Sequence, residues 1–411
     1  FQIIQFPPPI LKFFSTEKYF YLNLLNYKYS TAISFSPSNT FFQFLKLSTI
    51  IKYYCNGIMS YKITGSGSFI PSIVQQNSAF LGHYFLDNQG EVFGVDNETI
   101  IDKFNSITGI EERKYIAPEL KTSDIAHFAA KKAIKDAQVD PETIDYIIVA
   151  HNFGDITKET KQIDTLPSLA SRVKTKLKIQ NPKCVAYDIL FGCPGWVEAL
   201  IQAQAYIKAG MAKKCLVIGA DALSRVVDLH DRDSMIYADG AGATLLEKSG
   251  QEGGILSHCT LTYTANNEAD YIFYGQSYNK KKLNGDKFIK MQGRKVYEFA
   301  LNKVPAAMKH CLEKANIDIE KLKKIFIHQA NRKMDESIVN RFYRLYKKSV
   351  PEEILPMNIE EFGNSSVATV PTLFDLVVKH NYKGHSIKKG DIILFASVGA
   401  GMNINAITYQ I

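Results

Sequence analysis

Short β-branched runs alternate with longer helical stretches along most of the chain, and the alternation repeats. Residues 137–150 read AQVDPETIDYIIVA: a helix end, a turn with Asp, then a run suited to a buried parallel strand. Residues 315–328, ANIDIEKLKKIFIH, repeat this plan at an offset of 178. FGC (191–193) and FGN (362–364) match at an offset of 171. Each leads into a helical stretch, 194–209 and 367–380. Each then passes a glycine turn to a buried strand, KKCLVIGA (213–220) and DIILFASVGA (391–400).

The pattern predicts an α/β protein built from two duplicated βαβαβ-type halves, 59–250 and 251–411. Mostly parallel sheet and right-handed crossovers follow. The copies differ at reactive positions. Cys193 matches Asn364, and His328 stands where the first copy has Ala150. Such asymmetry on a repeated frame suggests one site built between the halves.

Residues 1–58 do not share the pattern. They hold 15 aromatics but no sustained helical or strand period, and the character changes at Met59. Their Phe, Ile, Lys, Asn, Tyr and Leu bias is what AT-rich DNA encodes. The expectation is a non-native or disordered extension, with Met59 as the true start. A signal or anchor is disfavoured by polar breaks and a missing small-residue cleavage site.

Composition narrows the class. With 411 residues, 46% apolar and 22% charged, the chain is neither disordered, collagen-like nor disulfide-dense. No uncharged apolar run reaches the length of a membrane span. Six cysteines lack C-x-x-C or zinc-ligand spacing and read as free thiols of a reducing compartment, so a cytoplasmic protein is expected. Five Lys and one Glu put half of the net charge of +8 in the first 58 residues; the remainder is nearly balanced. That does not point to nucleic acid.

Four features carry candidate chemistry. Cys193 precedes a helix and follows Gly192; a helix N-terminus favours the nucleophilic thiolate, while the plain alternative is a small buried hydrophobe. His328 closes a strand, where α/β folds place sites, or it is a core histidine. Asn364 is a site residue or a helix N-cap. Val398-Gly399-Ala400-Gly401 could aim backbone N–H groups at a carbonyl, or is an ordinary turn. GSGSF (65–69) is no dinucleotide fingerprint, HDRD (230–233) reads as an ion-pair loop, and DGAGA (239–243) as close backbone packing.

Taken together, FGCPGW (191–196), HQAN (328–331), FGNSSVATVP (362–371) and VGAGMN (398–403) resemble β-ketoacyl-acyl-carrier-protein synthase III, from about Met59 to Ile411. ITGIEER (107–113) and MQGRKVYEFA (291–300) extend the likeness. The resemblance implies a thiolase-like fold, layered α/β/α/β/α, and no cofactor or metal. It implies acyl loading on Cys193 and decarboxylative condensation supported by His328 and Asn364. The backbone N–H groups of Cys193 and Ala400 would form the oxyanion hole.

It also implies an acyl thioester, on carrier protein or coenzyme A, and malonyl-carrier protein as partners. Arg332, Lys333 and Arg341 would dock the acidic carrier, unless they are a solvated helix face. Leu166, Trp196 and Val398 would shape the acyl pocket, Leu166 from the neighbour in a homodimer. Lys103 and Ile107 stand where the family has the Trp and Arg of its coenzyme A clamp, which favours a carrier-bound or unusual primer in a specialised lipid or polyketide pathway. A non-condensing acyltransferase and a non-catalytic ketosynthase partner are the alternatives.

Overall fold

The computed structural model describes residues 11–16, 19–26, 29–35, 60–157, 162–282 and 285–411. Strands Leu11–Thr16, Tyr19–Asn26 and Tyr29–Phe35 form an antiparallel sheet of their own, a compact unit separate from the rest. The lack of a period did not foretell it; aromatic and β-branched content favours strands without strict alternation. The expectation of a non-native extension otherwise falls on residues outside those described.

Among the described residues the main body holds two large sheets and three small two-stranded ones. The first contains β1 (Ser60–Phe69), β2 (Tyr146–Ala150), β3 (Val185–Ile189), β4 (Lys214–Ala222) and β5 (Asp239–Ser249), in the order β3-β2-β4-β5-β1. β3, β2 and β4 run parallel; β5 joins β4 and β1 antiparallel. The second contains β6 (Gly254–Thr262), β7 (Leu322–Ile327), β8 (Ile392–Gly399) and β9 (Asn403–Gln410), in the order β6-β9-β8-β7. Again the first pair, β7 and β8, is parallel and the others antiparallel. The second sheet thus repeats the first without a strand at the β3 position. There the chain passes as an irregular segment, and Ile325 N donates to Ile354 O (2.8 Å).

Seven helices complete the layers: α1 (Asn97–Thr108), α2 (Thr122–Ala137), α3 (Leu169–Leu177), α4 (Gly195–Lys208), α5 (Gly293–Lys314), α6 (Arg332–Arg344) and α7 (Thr369–His380). α2 and α3 cover the first sheet through Ile125, Ala129, Ala133 and Val173. α5 and α6 cover the second through Val304, Met308, Ile338 and Phe342. α4 and α7 share one core with both sheets, joining Leu200, Leu373, Val217 and Ile393. The order is α/β/α/β/α, as the resemblance implied. Central strands have apolar layers on both faces, which is why β8, IILFASVG, is buried throughout.

The shared core has an aromatic centre. Phe395 of β8 packs against Trp196 (5.5 Å between centroids), Phe326 (5.7 Å), Phe374 (5.3 Å) and Tyr409 (6.0 Å). These rings come from β7, β8, β9, α4 and α7, so one side chain braces the middle layer against the second sheet. Phe395→Ala is expected to cost about 3–5 kcal/mol. A denaturant midpoint shifted accordingly, with unchanged slope, is the check.

Candidate active site

Strand ends bring the chemistry together. Cys193 lies in the turn between β3 and α4, His328 just past β7, Ala400 just past β8, and Asn364 in the turn before α7. Parallel strands point their carboxyl ends to one side, so these turns converge. Cys193, His328, Asn364, Ser366, Val398 and Ala400 line one cavity of about 880 Å³.

Two turns from different halves pack backbone against backbone. A Cβ on Gly192 (φ 64°) would lie 2.6 Å from Ala400 N, and one on Gly399 would lie 2.5 Å from Cys193 N. Only glycine allows this approach. It brings the backbones of Cys193 and Ala400, both of which line the cavity, close together.

Asn364 is fixed through its backbone. Its N donates to Ile236 O (3.0 Å) and its O accepts from Ala238 N (2.8 Å). Its Oδ1 accepts from Ser366 N (2.8 Å), which leaves the Nδ2 donor for the cavity. The side chain serves the backbone two residues on and does not cap α7. His328 is pinned to β8 by its N–H to Ala396 O (2.9 Å). Burial pulls its imidazole down to about 4, against a small opposing pull from the Ser366 carbonyl. The ring is therefore neutral near pH 7 and offers one N–H.

Cys193 departs from expectation. Burial pushes its thiol up to about 12; a hydrogen bond from Ser366 Oγ (3.3 Å) opposes this and the Asp221 charge adds to it. A helix N-terminus supplies at most ~2 kcal/mol, about one and a half pH units. Burial outweighs that, so the resting group is a thiol that touches solvent only through the cavity.

Trp196 is also corrected. It is buried in the aromatic core and lines no part of the cavity, because three residues on from Cys193 α4 faces the second sheet. Val398 does line the cavity. Leu166 does not; its side chain is 88% exposed. Among the basic residues, Lys333 and Arg341 are exposed on α6, whereas Arg332 is ion-paired with Glu360. Lys103 and Ile107 of α1 line the cavity, and Arg232 stacks on Phe93 (4.9 Å to the centroid).

Asn152, Asp221, Ser366 and Asp233 were missed in the sequence. Asn152 Nδ2 donates to Asp221 Oδ2 (2.7 Å) and Ser366 Oγ (3.0 Å), tying two strand ends to the turn before α7. HDRD is more than an ion-pair loop. Asp231 pairs with buried Lys290 (3.0 Å), which also holds Asp228 (2.6 Å), but Asp233 faces the cavity with its carboxyl pushed up to about 7 by burial. Lone polar letters in loops gave no spacing to read. Among the described residues no His, Cys, Asp or Glu cluster could hold a metal, and no helix is long and apolar enough to cross a membrane.

A doubled five-layer frame with Cys, His and Asn around one cavity defines a thiolase-fold condensing enzyme. The comparisons agree. Family models for 3-oxoacyl-[acyl-carrier-protein (ACP)] synthase III and its C-terminal part match residues 187–263 and 312–411. β-Ketoacyl-[acyl-carrier-protein] synthase III of Prochlorococcus marinus is 33% identical over 354 residues, spanning 83% of this chain and 93% of its own. The crystal structure of 3-oxoacyl-[acyl-carrier-protein] synthase III from Aquifex aeolicus superposes with a TM-score of 0.70 at 28% identity, covering 86% of this chain and 100% of that one. The priming β-ketosynthase of the R1128 polyketide pathway shares the fold (TM-score 0.71, 23% identity, 86% and 96% covered). The chain belongs to the β-ketoacyl-acyl-carrier-protein synthase III family.

His328 makes stability pH-dependent. Between pH 6.5, its ordinary value, and about 4, the unfolded chain binds a proton that the folded chain does not. Stability therefore rises with pH across this window and is lost as pH falls, by up to about 3 kcal/mol. Unfolding free energies measured from pH 7 to 4 are expected to fall more steeply for the wild type than for His328→Gln.

Proposed function

We propose that the chain is an acyltransferase that loads an acyl group on Cys193 and condenses it with a malonyl-carrier thioester. The observation that carries this is the shared cavity of Cys193, His328 and Asn364, where the backbones of Cys193 and Ala400 come close together. In loading, the Cys193 sulfur attacks the primer thioester, whose carbonyl oxygen lies against the N–H groups of those two residues. The carrier sulfur departs, and the proton lost by Cys193 is the one the carrier thiol gains. His328 does not keep that proton, because burial disfavours imidazolium.

In condensation the malonyl thioester carbonyl accepts from the His328 N–H and from Asn364 Nδ2. The carboxylate leaves as carbon dioxide and its bonding electrons pass into the enolate so held. The enolate carbon attacks the acyl-Cys193 carbonyl. The tetrahedral intermediate collapses, and Cys193 leaves and takes up a proton. Each donor to a developing oxyanion contributes about 3–4 kcal/mol in comparable sites.

Lys333 and Arg341 on α6 suit an acidic carrier protein; the ion pair to Glu360 gives Arg332 a smaller part. Lys103 and Ile107 at the cavity favour a carrier-bound primer over coenzyme A. The outer edge of β3, which ends its sheet beside exposed Val185 and Leu190, supports a homodimer paired through that edge. Leu166 would then reach the partner's cavity. The two halves meet at residues 250–251, and a cytoplasmic setting suits the free thiols, Cys184, Cys193, Cys215, Cys259 and Cys311.

Intact-mass measurement of the protein with acyl-carrier and acyl-coenzyme A thioesters tests loading. One acyl adduct is expected, absent in Cys193→Ala, and larger from the carrier donor. His328→Ala and Asn364→Ala are expected to keep the adduct but lose condensation about 10²–10³-fold. Loss of the adduct without loss of condensation would overturn the assignment.

A further inference from the structure

One side chain in the cavity has a geometry that the condensation steps leave unused. Ser366 sits in the left-handed region (φ 53°), where a non-glycine residue is strained. Two contacts hold it there: its N–H to Asn364 Oδ1 (2.8 Å) and its hydroxyl to Cys193 Sγ (3.3 Å). The hydroxyl also meets Asn152 Nδ2 (3.0 Å).

The direction of these bonds is set from the far end. Asp221 is buried, and each of its oxygens receives an N–H from Asn152: Oδ1 from the backbone (2.9 Å) and Oδ2 from Nδ2 (2.7 Å). Asn152 must therefore turn its amide nitrogen, not its oxygen, towards this corner. The second Nδ2 hydrogen goes to Ser366 Oγ, so that oxygen accepts on that side. The hydroxyl's one proton goes to Cys193 Sγ (3.3 Å), with the Asp221 carboxylate as the competing acceptor.

We propose that Ser366 is a positioning residue whose hydroxyl proton, oriented by Asp221 through Asn152, is given to the Cys193 sulfur and stabilises the nucleophilic thiolate. A hydrogen bond to the charged form favours that form, and buried Cys193 has few other means of becoming nucleophilic. The same bond orients the sulfur beside the Cys193 and Ala400 backbones. The backbone strain at residue 366 keeps the hydroxyl in place. Other titratable groups around the sulfur are Asp221 at the end of β4, Tyr237 ahead of β5 and His328 after β7; His151, after β2, faces Asp221. None of these donates to the sulfur among the hydrogen bonds recorded for the described residues. The inference rests on Cys193 as the nucleophile.

Alkylation of the full chain with iodoacetamide, followed by mass spectrometry from pH 6.5 to 9.5, tests it without any acyl substrate. The buried Cys184, Cys215, Cys259 and Cys311 serve as internal controls. Ser366→Ala removes the donor; Ser366→Gly removes it and also relieves the backbone strain. Loss of the donor raises the thiol by about one pH unit, a tenfold loss of thiolate, of which the more basic sulfur recovers about threefold in reactivity. Both variants are expected to alkylate Cys193 about threefold more slowly across that range, with the stability of each measured alongside to separate donor loss from loss of fold. A merely structural serine predicts a Ser366→Gly protein with unchanged alkylation, and profiles superimposing on the wild type would overturn the proposal. If the profiles shift but no thioester acylates Cys193, the condensing reading falls and the hydrogen bond stands.

Discussion

The molecule depends on a contact that two missing Cβ atoms permit. Gly192 and Gly399 let the turn after β3 and the turn after β8 touch through their backbones. One turn belongs to the first sheet's half and the other to the second's. A side chain on either glycine would meet the opposite backbone at 2.5–2.6 Å and push the two turns apart. Everything beneath serves to hold that contact. α4 starts at Gly195 and carries Trp196 into the same aromatic core that Phe395 braces from β8. The helix that follows Cys193 and the strand that leads to Ala400 are therefore packed against each other. Stability and site geometry share these side chains.

Burial is the second organising constraint. It leaves Cys193 a thiol and His328 neutral, so the cavity carries little resting charge apart from Asp233 and the rim. A neutral imidazole and an amide suit a reaction in which charge appears on a thioester oxygen only as carbon dioxide leaves. A cationic histidine would bind the malonyl carboxylate and oppose its departure. The low value at His328 is thus useful to the chemistry, and it follows from enclosure between the sheets with no carboxylate beside it.

The fold was legible because duplication is a sequence property. The offsets of 178 and 171 mark β2 with β7 and α4 with α7, and buried parallel strands announce themselves as unbroken apolar runs. That Cys193, His328, Asn364 and Ala400 would come together was legible because Cys193, His328 and Ala400 follow strand ends and Asn364 matches Cys193 in the repeat. Trp196 was misread because adjacency to Cys193 in sequence says nothing about which side of a helix faces the cavity. The thiolate was misread because a helix terminus is visible in sequence and desolvation is not. Asn152, Asp221 and Ser366 come from three separate segments, and only the fold shows that they meet.

That meeting explains why a polar chain is tolerated in so apolar a place. Asp221 is almost fully buried, and a buried carboxylate is costly unless its oxygens are satisfied. Asn152 satisfies both of them and then has one hydrogen left, which reaches Ser366. Each member thus has a partner for what it offers. The line ends at the sulfur, which accepts from Ser366 Oγ and is also favoured as thiolate by the Cys193 backbone N–H. While Asp221 is ionised it can only accept, which gives the network its direction; burial pushes that carboxyl up, and protonation would remove the constraint. Reversing it would set the Asn152 oxygen against the Asp221 carboxylate, a repulsion at hydrogen-bond distance in a low-dielectric setting. The burial that makes Cys193 hard to ionise is the same burial that gives this directed hydrogen bond its strength.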